Sequence, residues 1–420
     1  MLKFVSITAP AVLVWLSFVG YSAFGGFWMN PVVAEGDSEA FFAHAVEKLQ
    51  THNLGATSLV LIEDGVIANQ FHHGPKDNIN PDTVFAAASM SKWMAAYAMM
   101  TLVADGRADL DVPVNRYLTR WQLPVGEFGN EGVTIRRLLS HTAGFADDLG
   151  FGDYGADETL PDLEVELTNP RASSGMPVDI RVSLQPGTQW RYSGASYLLL
   201  ELLVEEISGQ PFEDYVRTAI LEPLEMSRTG YGFIDTIPNS AGLLQTDGTR
   251  VTGHQYASSA ATALVISSSD LAKFVAAQIG ATAANAPLSP EWVEAMRAPH
   301  GRSAGFDIWG LGTILYAPSR SGDFIFGHDG ANEPAINTAA RLNPENGDAL
   351  IVLVSGHPSL ASSIGSDWVF WQSGTPDLFS TDDVLASMLP PGLAGTLVIL
   401  IAAVLRRKRS RRTEVNPGVS

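Results

Sequence analysis

The strand-like segments of this chain lie at its two ends, and that distribution restricts how it can fold. Thr57–Ile62 and Val66–Phe71 read as a strand pair joined at Glu63-Asp64-Gly65, a tight-turn signal. Strand patterns return only late, at Trp309–Tyr316, Phe324–Gly327, Asn337–Leu342 and Ala349–Val354, the last pair joined through Asn346-Gly347. From about Leu110 to His300 the pattern is helical and loop-rich, with helices expected at Ile135–Ser140, Tyr197–Ile207, Pro211–Ile220 and Ser268–Ile279. Apolar spacing also predicts helices over Ser38–Thr51 and about Ser363–Gln372. The arrangement that satisfies this order is an α+β fold. A mixed antiparallel sheet forms from both chain ends, flanked by helices, with an all-helical subdomain inserted at about 110–300. A cleft between two such halves is the expected place for a substrate.

Charge and composition narrow the functional classes. With 26 basic against 45 acidic residues the formal net charge is −19, and six of the basic residues crowd into Arg406–Arg412. The remaining body is more acidic still, so it repels phosphate backbones and nucleic acid is not an expected partner. The absence of cysteine removes disulfides, thiolate metal sites and a cysteine nucleophile. No metal or organic cofactor is implied: the nine histidines include no H-E-x-x-H, and His72-His73 beside Gly74 reads as a solvated turn.

Both termini point to a membrane. Phe4 to Met29 carries no charge and follows Lys3. It reads as a signal peptide over residues 1–34, cleaved near Val32-Val33-Ala34, or as an uncleaved anchor. Residues 384–405 are uncharged and long enough to cross a bilayer, and the basic tail 406–420 belongs on the cytoplasmic side. Pro390, Pro391 and Gly392 interrupt this segment, so the helix proper is expected from Leu393 to Leu405. Residues 35–383 are thereby expected outside the cytoplasm, in the periplasm or the extracellular space.

Three short stretches carry chemistry. In TVFAAASMSKWMAAYAMMTLVADG, Thr83 to Gly106, Ser89 and Lys92 stand three apart at the front of an apolar helix and share one face. The chain has only six lysines, and this one sits among Met90, Trp93, Met94 and Tyr97. A lysine so placed is suited to relay the proton that a weakly nucleophilic serine must lose. Tyr192, in a loop before the amphipathic run to Gly209, is a candidate general base. Phe324 to Ala331, FIFGHDGA, reads as a strand ending in a Gly-flanked polar turn, where the N–H of Ala331 together with that of Ser89 could hold an oxyanion.

Taken together and in this order, these stretches resemble the serine β-lactamase-like family of penicillin-recognising enzymes, in particular its class C branch with related esterases and D-peptidases. The family's S-x-x-K matches Ser89-Met90-Ser91-Lys92, its Y-x-N matches Tyr192-Ser193-Gly194, and its K-T-G or H-x-G matches His328-Asp329-Gly330. Ile135–Phe145 and Leu221–Met226 also look like family stretches, so that the resemblance runs from about Phe41 to Ser373. It implies an α/β/α sandwich of the β-lactamase/transpeptidase type. It also implies Ser89 as the acylated nucleophile, Lys92 and Tyr192 sharing its proton, and His328 lining the site. His141 reads as structural and Ser91 as a helix-facing neighbour. Two positions depart from the family pattern. Gly194 replaces the usual Asn and removes a substrate-binding amide. Asp329 stands where β-lactamases carry a threonine, and an anion there should repel a carboxylated substrate. The expected function is a membrane-tethered serine hydrolase acting on an ester, amide, peptide or β-lactam carbonyl, with ester or peptide preferred. The competing expectation is a non-catalytic binding or sensor module with slow or no turnover.

Overall fold

Eight strands form the main sheet: β1 (Thr57–Glu63), β2 (Val66–His73), β3 (Gly301–Ser303), β4 (Phe306–Trp309), β5 (Ile314–Pro318), β6 (Phe324–Asn332), β7 (Ile336–Asn343) and β8 (Asp348–Ser355). This is a computed structural model that describes residues 2–75, 78–147, 153–171, 178–279, 285–379 and 381–414. The strand order is β3-β4-β5-β6-β7-β8-β1-β2, with every neighbouring pair antiparallel. The two chain ends meet at the β8–β1 seam, where Thr57 faces Val354 and Leu61 faces Leu350.

Alternation along these strands feeds two separate cores. Leu59, Leu61, Leu350 and Val352 join one apolar cluster with α2 (Ser38–His52) and α5 (Leu360–Ser373). Val60, Ile62, Ile351 and Leu353 point the other way, into the cluster built on α3 (Ser91–Ala104) and α4 (Gly194–Ser208). With both faces covered the sheet is the middle layer of a sandwich, which is why its central strands read as continuous apolar runs. Helix α3 is buried from Ser91 to Val103, consistent with its lack of a polar face. The Asp64-Gly65 turn has positive φ at both residues, 50° and 77°, as a two-residue hairpin requires.

Several boundaries differ from the sequence expectation. The stretch Trp309–Tyr316 is two strands, not one, because the chain reverses at Gly310–Thr313 between β4 and β5. His72 and His73 lie on β2 rather than in a turn, and Ser58 Oγ is 2.8 Å from His72 Nδ1. The Pro211–Ile220 helix is α-helical only over Phe212–Val216, then widens into a π-turn over Arg217–Leu221. The terminal helix α6 (Asp382–Glu414) runs uninterrupted through Pro390 and Pro391, with the first helix, α1 (Leu2–Ala23), packed along it. The two prolines remove the donors that Ala386 and Ser387 carbonyls would have in a regular helix, yet the helix continues through them, and beside them the Trp15 indole donates to the Pro391 carbonyl at 3.1 Å. Residues 415–420 of the basic tail lie outside the described residues.

The correction that matters most concerns β6. It does not end in a turn at His328 but continues to Asn332, paired with β7 from Phe326–Leu342 to Asn332–Ile336. Its Gly330 is demanded by contact, not by turn geometry. A Cβ there would lie 2.1 Å from the Ala87 carbonyl oxygen and 2.5 Å from Thr338 Oγ1. Thr338 Oγ1 itself donates to Ala87 O at 3.0 Å. The strand is thus pressed against the backbone two residues before Ser89. Gly330→Ala is expected to destabilise the protein by about 2–3 kcal/mol in urea unfolding, the cost of forcing a methyl into a filled contact. An unchanged midpoint would mean that β6 stands off from Ala87.

Candidate active site

The chain enters the site through strained backbone. Ala88 has φ +49°, a region that residues with a side chain rarely occupy, and a single 3-10 turn over Ala88–Met90 follows before α3 begins. This lifts Ser89 to the mouth of a cleft of about 520 Å³, while Ser91 turns inward. Ser91 Oγ donates to Ala88 O at 2.6 Å and accepts from Leu264 N at 3.0 Å, so it clamps the turn.

Lys92 lies one helical step behind the serine, its Nζ 3.4 Å from Ser89 Oγ. The side chain is 3% exposed, and Nζ donates to the Ala261 carbonyl at 2.9 Å. That bond fixes the amine from a loop far away in sequence. The amine also faces two rings, with Nζ 5.0 Å from the Tyr192 centroid and 5.7 Å from that of Tyr197. Tyr192 lines the same cleft as Ser89, and its ring lies near the Lys92 amine that stands behind the serine.

The Tyr192 loop is held by His141, whose imidazole is buried. Ser193 N donates to His141 Nδ1 at 3.0 Å, Arg191 N donates to His141 O at 2.8 Å, and the two rings lie 4.4 Å apart. Burial, with Lys92 nearby, pushes the imidazole pKa well below its ordinary value, so the ring stays neutral and accepts through Nδ1. The structural reading of His141 therefore has a specific content: it positions Tyr192. Gly194 is buried as the first residue of α4 and stands outside the cleft lining. Ser193 caps that helix through Ser196 N, and Ala195 N donates to Asp147 Oδ2 at 2.9 Å.

The opposite wall is β6, with His328, Asp329, Gly330 and Ala331 all on the cleft. His328 is buried, and burial lowers its pKa to about 4, against a bond that favours protonation. That bond is a donation from Nδ1 to the Asp329 carbonyl at 2.6 Å, leaving Nε2 without a partner among the described residues. Above pH ~4 the ring is a neutral acceptor.

Asp329 is not a free anion facing the substrate. Tyr316 Oη donates to its Oδ1 at 2.7 Å and Arg341 donates to its Oδ2 at 2.7 Å. Arg341 is buried and also binds Asp377 at 2.6 Å. Burial works against its charge, yet the two carboxylates raise its pKa above the usual guanidinium value. The repulsion expected from a bare Asp329 is therefore reduced. The cluster still holds two carboxylates against one guanidinium, and no Lys or Arg side chain lines the cleft among the described residues. Arg341 and Asp377 were absent from the sequence reading. The available signal is a lone charged residue within the strand Ile336–Asn343, every residue of which is buried. Phe379, Thr381 and Asp382 also line the cleft, and nothing local in the sequence marks them.

Comparison with known proteins agrees with this geometry. Residues 41–368 match the family model described as Beta-lactamase. Esterase EstB of Burkholderia gladioli is 34% identical over 161 residues, covering 36% of this chain and 39% of the esterase. Penicillin-binding protein 4* of Bacillus subtilis (strain 168) is 28% identical over 154 residues, 37% of this chain and 32% of that protein. The matched segments thus span little more than a third of these relatives. Among solved structures, the octameric penicillin-binding protein homologue from Pyrococcus abyssi superposes with a TM-score of 0.62 at 26% identity, covering 77% of this chain and 76% of its own. The D-amino acid amidase from Ochrobactrum anthropi SV3 shares the fold, with a TM-score of 0.61 at 20% identity over 78% of this chain and 98% of the amidase. Matched over most of its length, and with Ser89, Tyr192 and His328 on one cleft, this chain belongs to the Beta-lactamase family.

Proposed function

We propose that this protein is a serine hydrolase that works through an acyl-enzyme, with uncharged esters or amides as substrates and esters preferred. The observation that carries this reading is the Ser89–Lys92 pair, 3.4 Å apart at the head of a buried helix with the amine fixed by a backbone carbonyl. The names of Esterase EstB and of the D-amino acid amidase agree with it.

In this reading Ser89 Oγ attacks the substrate carbonyl while its proton passes to the Lys92–Tyr192 pair. The tetrahedral oxyanion is held by the N–H groups of Ser89 and Ala331, two residues that line the same cleft. Collapse breaks the carbonyl–leaving-group bond, and the same proton returns to the departing alkoxide or amine. Water then attacks the acyl-enzyme, delivering its proton back through Tyr192 and releasing the acid. His328, neutral and acceptor-only at Nε2, takes a hydrogen bond from the substrate or the water rather than binding an anion.

Electrostatics sets the preference. A β-lactam or a peptide with a C-terminal carboxylate presents an anion beside the reacting carbonyl. The cleft meets it with Asp329, already bonded, and Asp382, and with no cationic side chain among the described lining residues. A neutral ester suffers no such penalty.

Lys92 depends on a support that is itself titratable. Ala260 N donates to Glu201 Oε2 at 2.9 Å and Ser258 Oγ donates to it at 3.2 Å, which holds the loop that offers Ala261 O to Lys92. Burial raises the Glu201 pKa from 4.5 to about 8, against the Ala260 bond that lowers it. The folded state therefore keeps a proton that the unfolded chain releases, and stability is lost as pH rises from 4.5 through about 8.

Two outcomes check these points. A fluorophosphonate should add once, to Ser89, and Ser89→Ala should abolish both the adduct and turnover. Lys92→Met and Tyr192→Phe should each lower kcat on a p-nitrophenyl ester by at least about 100-fold, and that ester should be cleaved faster than a chromogenic cephalosporin. No adduct, or one that survives Ser89→Ala, would overturn the hydrolase reading. Separately, Glu201→Gln should gain several degrees in thermal midpoint over the parent chain as pH rises from 5 to about 8, with little difference at pH 5. A constant difference across that range would show that Glu201 does not titrate there.

A further inference from the structure

The wall of the cleft that the motifs do not account for is the beginning of α6. Phe379, Thr381 and Asp382 share the cavity with Ser89 and His328, and the apolar part of α6 starts at once beyond them. Within Asp382–Lys408 the most apolar 18-residue window has a mean hydropathy of 2.2 and is 6% buried, so this is not a core helix. Leu385, Leu389, Leu393 and Leu397 are 51–72% exposed. An uncharged helix from Val384 to Leu405, at about 1.5 Å per residue, is long enough for a hydrocarbon core about 30 Å thick.

Helix α1 completes a pair. Gly20 meets Met388, Leu16 meets Gly392 and Trp15 meets Gly395, so residue numbers fall along one helix as they rise along the other and the helices are antiparallel. A Cβ on Gly395 would lie 2.1 Å from the Trp15 ring, which makes that glycine the seat of the indole. Leu13, Val14, Phe18 and Tyr21 of α1 are exposed beside the leucines of α6. Lys3 and the basic Arg406–Arg412 end then fall on one side, as the positive-inside rule requires, with the body on the other.

Contacts with the body flank both helices of the pair. Arg341 binds Asp377, Leu378 N donates to Tyr316 O at 2.6 Å, and Phe24 stacks on Phe306 at 5.1 Å. Phe379 stands edge-on to the cleft's Trp190 at 6.5 Å. Asp382 on the cleft wall and Leu389 in the apolar span are separated by about 10 Å of helix. That distance is comparable to the headgroup layer, roughly 5–8 Å on each face of a bilayer. The cleft therefore opens at the level of the headgroups, with an aromatic and apolar lip toward the lipid and no cationic lining among the described residues.

We propose that the substrate is a neutral carboxylic ester of an amphiphile resident in the bilayer, which enters the cleft past Phe379 without leaving the membrane surface. This rests on the reading of Ser89 as an acylating serine. Ser89 Oγ bonds to the acyl carbon, the ester C–O bond breaks, and the serine proton leaves on the alcohol. Water then cleaves the acyl-serine bond, regenerates the hydroxyl and releases the fatty acid.

The test uses the full chain in phosphatidylcholine vesicles with two fluorogenic umbelliferyl esters, the membrane-retained oleate and the water-soluble butyrate. At equal bulk concentration the oleate should be cleaved with kcat/KM at least about tenfold higher, because the bilayer concentrates it at the cleft. Adding inert phosphatidylcholine to dilute the oleate about tenfold in the surface should lower its rate about tenfold and leave the butyrate rate unchanged. Preference for butyrate overturns the membrane-ester assignment, as does an oleate rate that follows only the free aqueous ester. The hydrolase reading stands in both cases if fluorophosphonate still labels Ser89. Failure to cleave either ester with Ser89 still labelled also overturns the lipid-ester assignment alone. Loss of labelling together with both activities overturns the hydrolase reading beneath it.

Discussion

One buried guanidinium ties the working parts of this molecule together. Arg341, on β7, reaches Asp329 on the cleft strand and Asp377 on the segment that leads into α6. A charge with 1% of its side chain exposed persists only because both carboxylates and the Tyr316 ring, 4.0 Å beneath it, replace the water it has lost. Remove it and two carboxylates are stranded in the same interior. The cleft wall and the approach to the terminal helix would then lose their shared anchor together. Catalytic geometry and attachment to the helix pair are thus one structural problem in this chain.

The site is built by opposing movements of backbone. The segment before Ser89 is raised by a left-handed Ala88, while β6 descends on it so closely that only glycine fits at position 330. Between them the serine is half-buried on the cleft and its lysine is buried. His141 performs the matching service for Tyr192 from the far side, as an acceptor that burial keeps unprotonated. None of these supports touches a substrate. They determine where the groups that do are placed, and they tolerate little displacement.

What the sequence disclosed and what it withheld divide along physical lines. Local patterns were readable: the alternating strands, the apolar helix α3, the Asp64-Gly65 turn and the three chemical motifs all carry their signal within a few residues. The continuation of β6 through His328-Asp329-Gly330 was misread because glycine resembles a strand terminator. Here it answers a contact with Ala87, which no periodicity reports. Trp309–Tyr316 failed in the opposite sense, since apolar residues on both sides of a reversal look like one strand. The prolines of α6 read as a break, whereas the helix runs through them with α1 packed alongside, a contact between segments 376 positions apart at Trp15 and Pro391. Ala261, Glu201 and Asp377 carry no local signal, because each matters through a partner distant in the chain.

The antiparallel seating of Trp15 on Gly395 has a practical corollary for anyone handling this protein. Because α1 and α6 run in opposite directions, Leu2 and Glu414 both lie at the pole remote from Ser89, with Glu414 about 48 Å of helix beyond Asp382 at the catalytic mouth. A purification tag or fluorescent reporter fused at either extremity would hang clear of the entrance. One inserted near Asp382 would obstruct it.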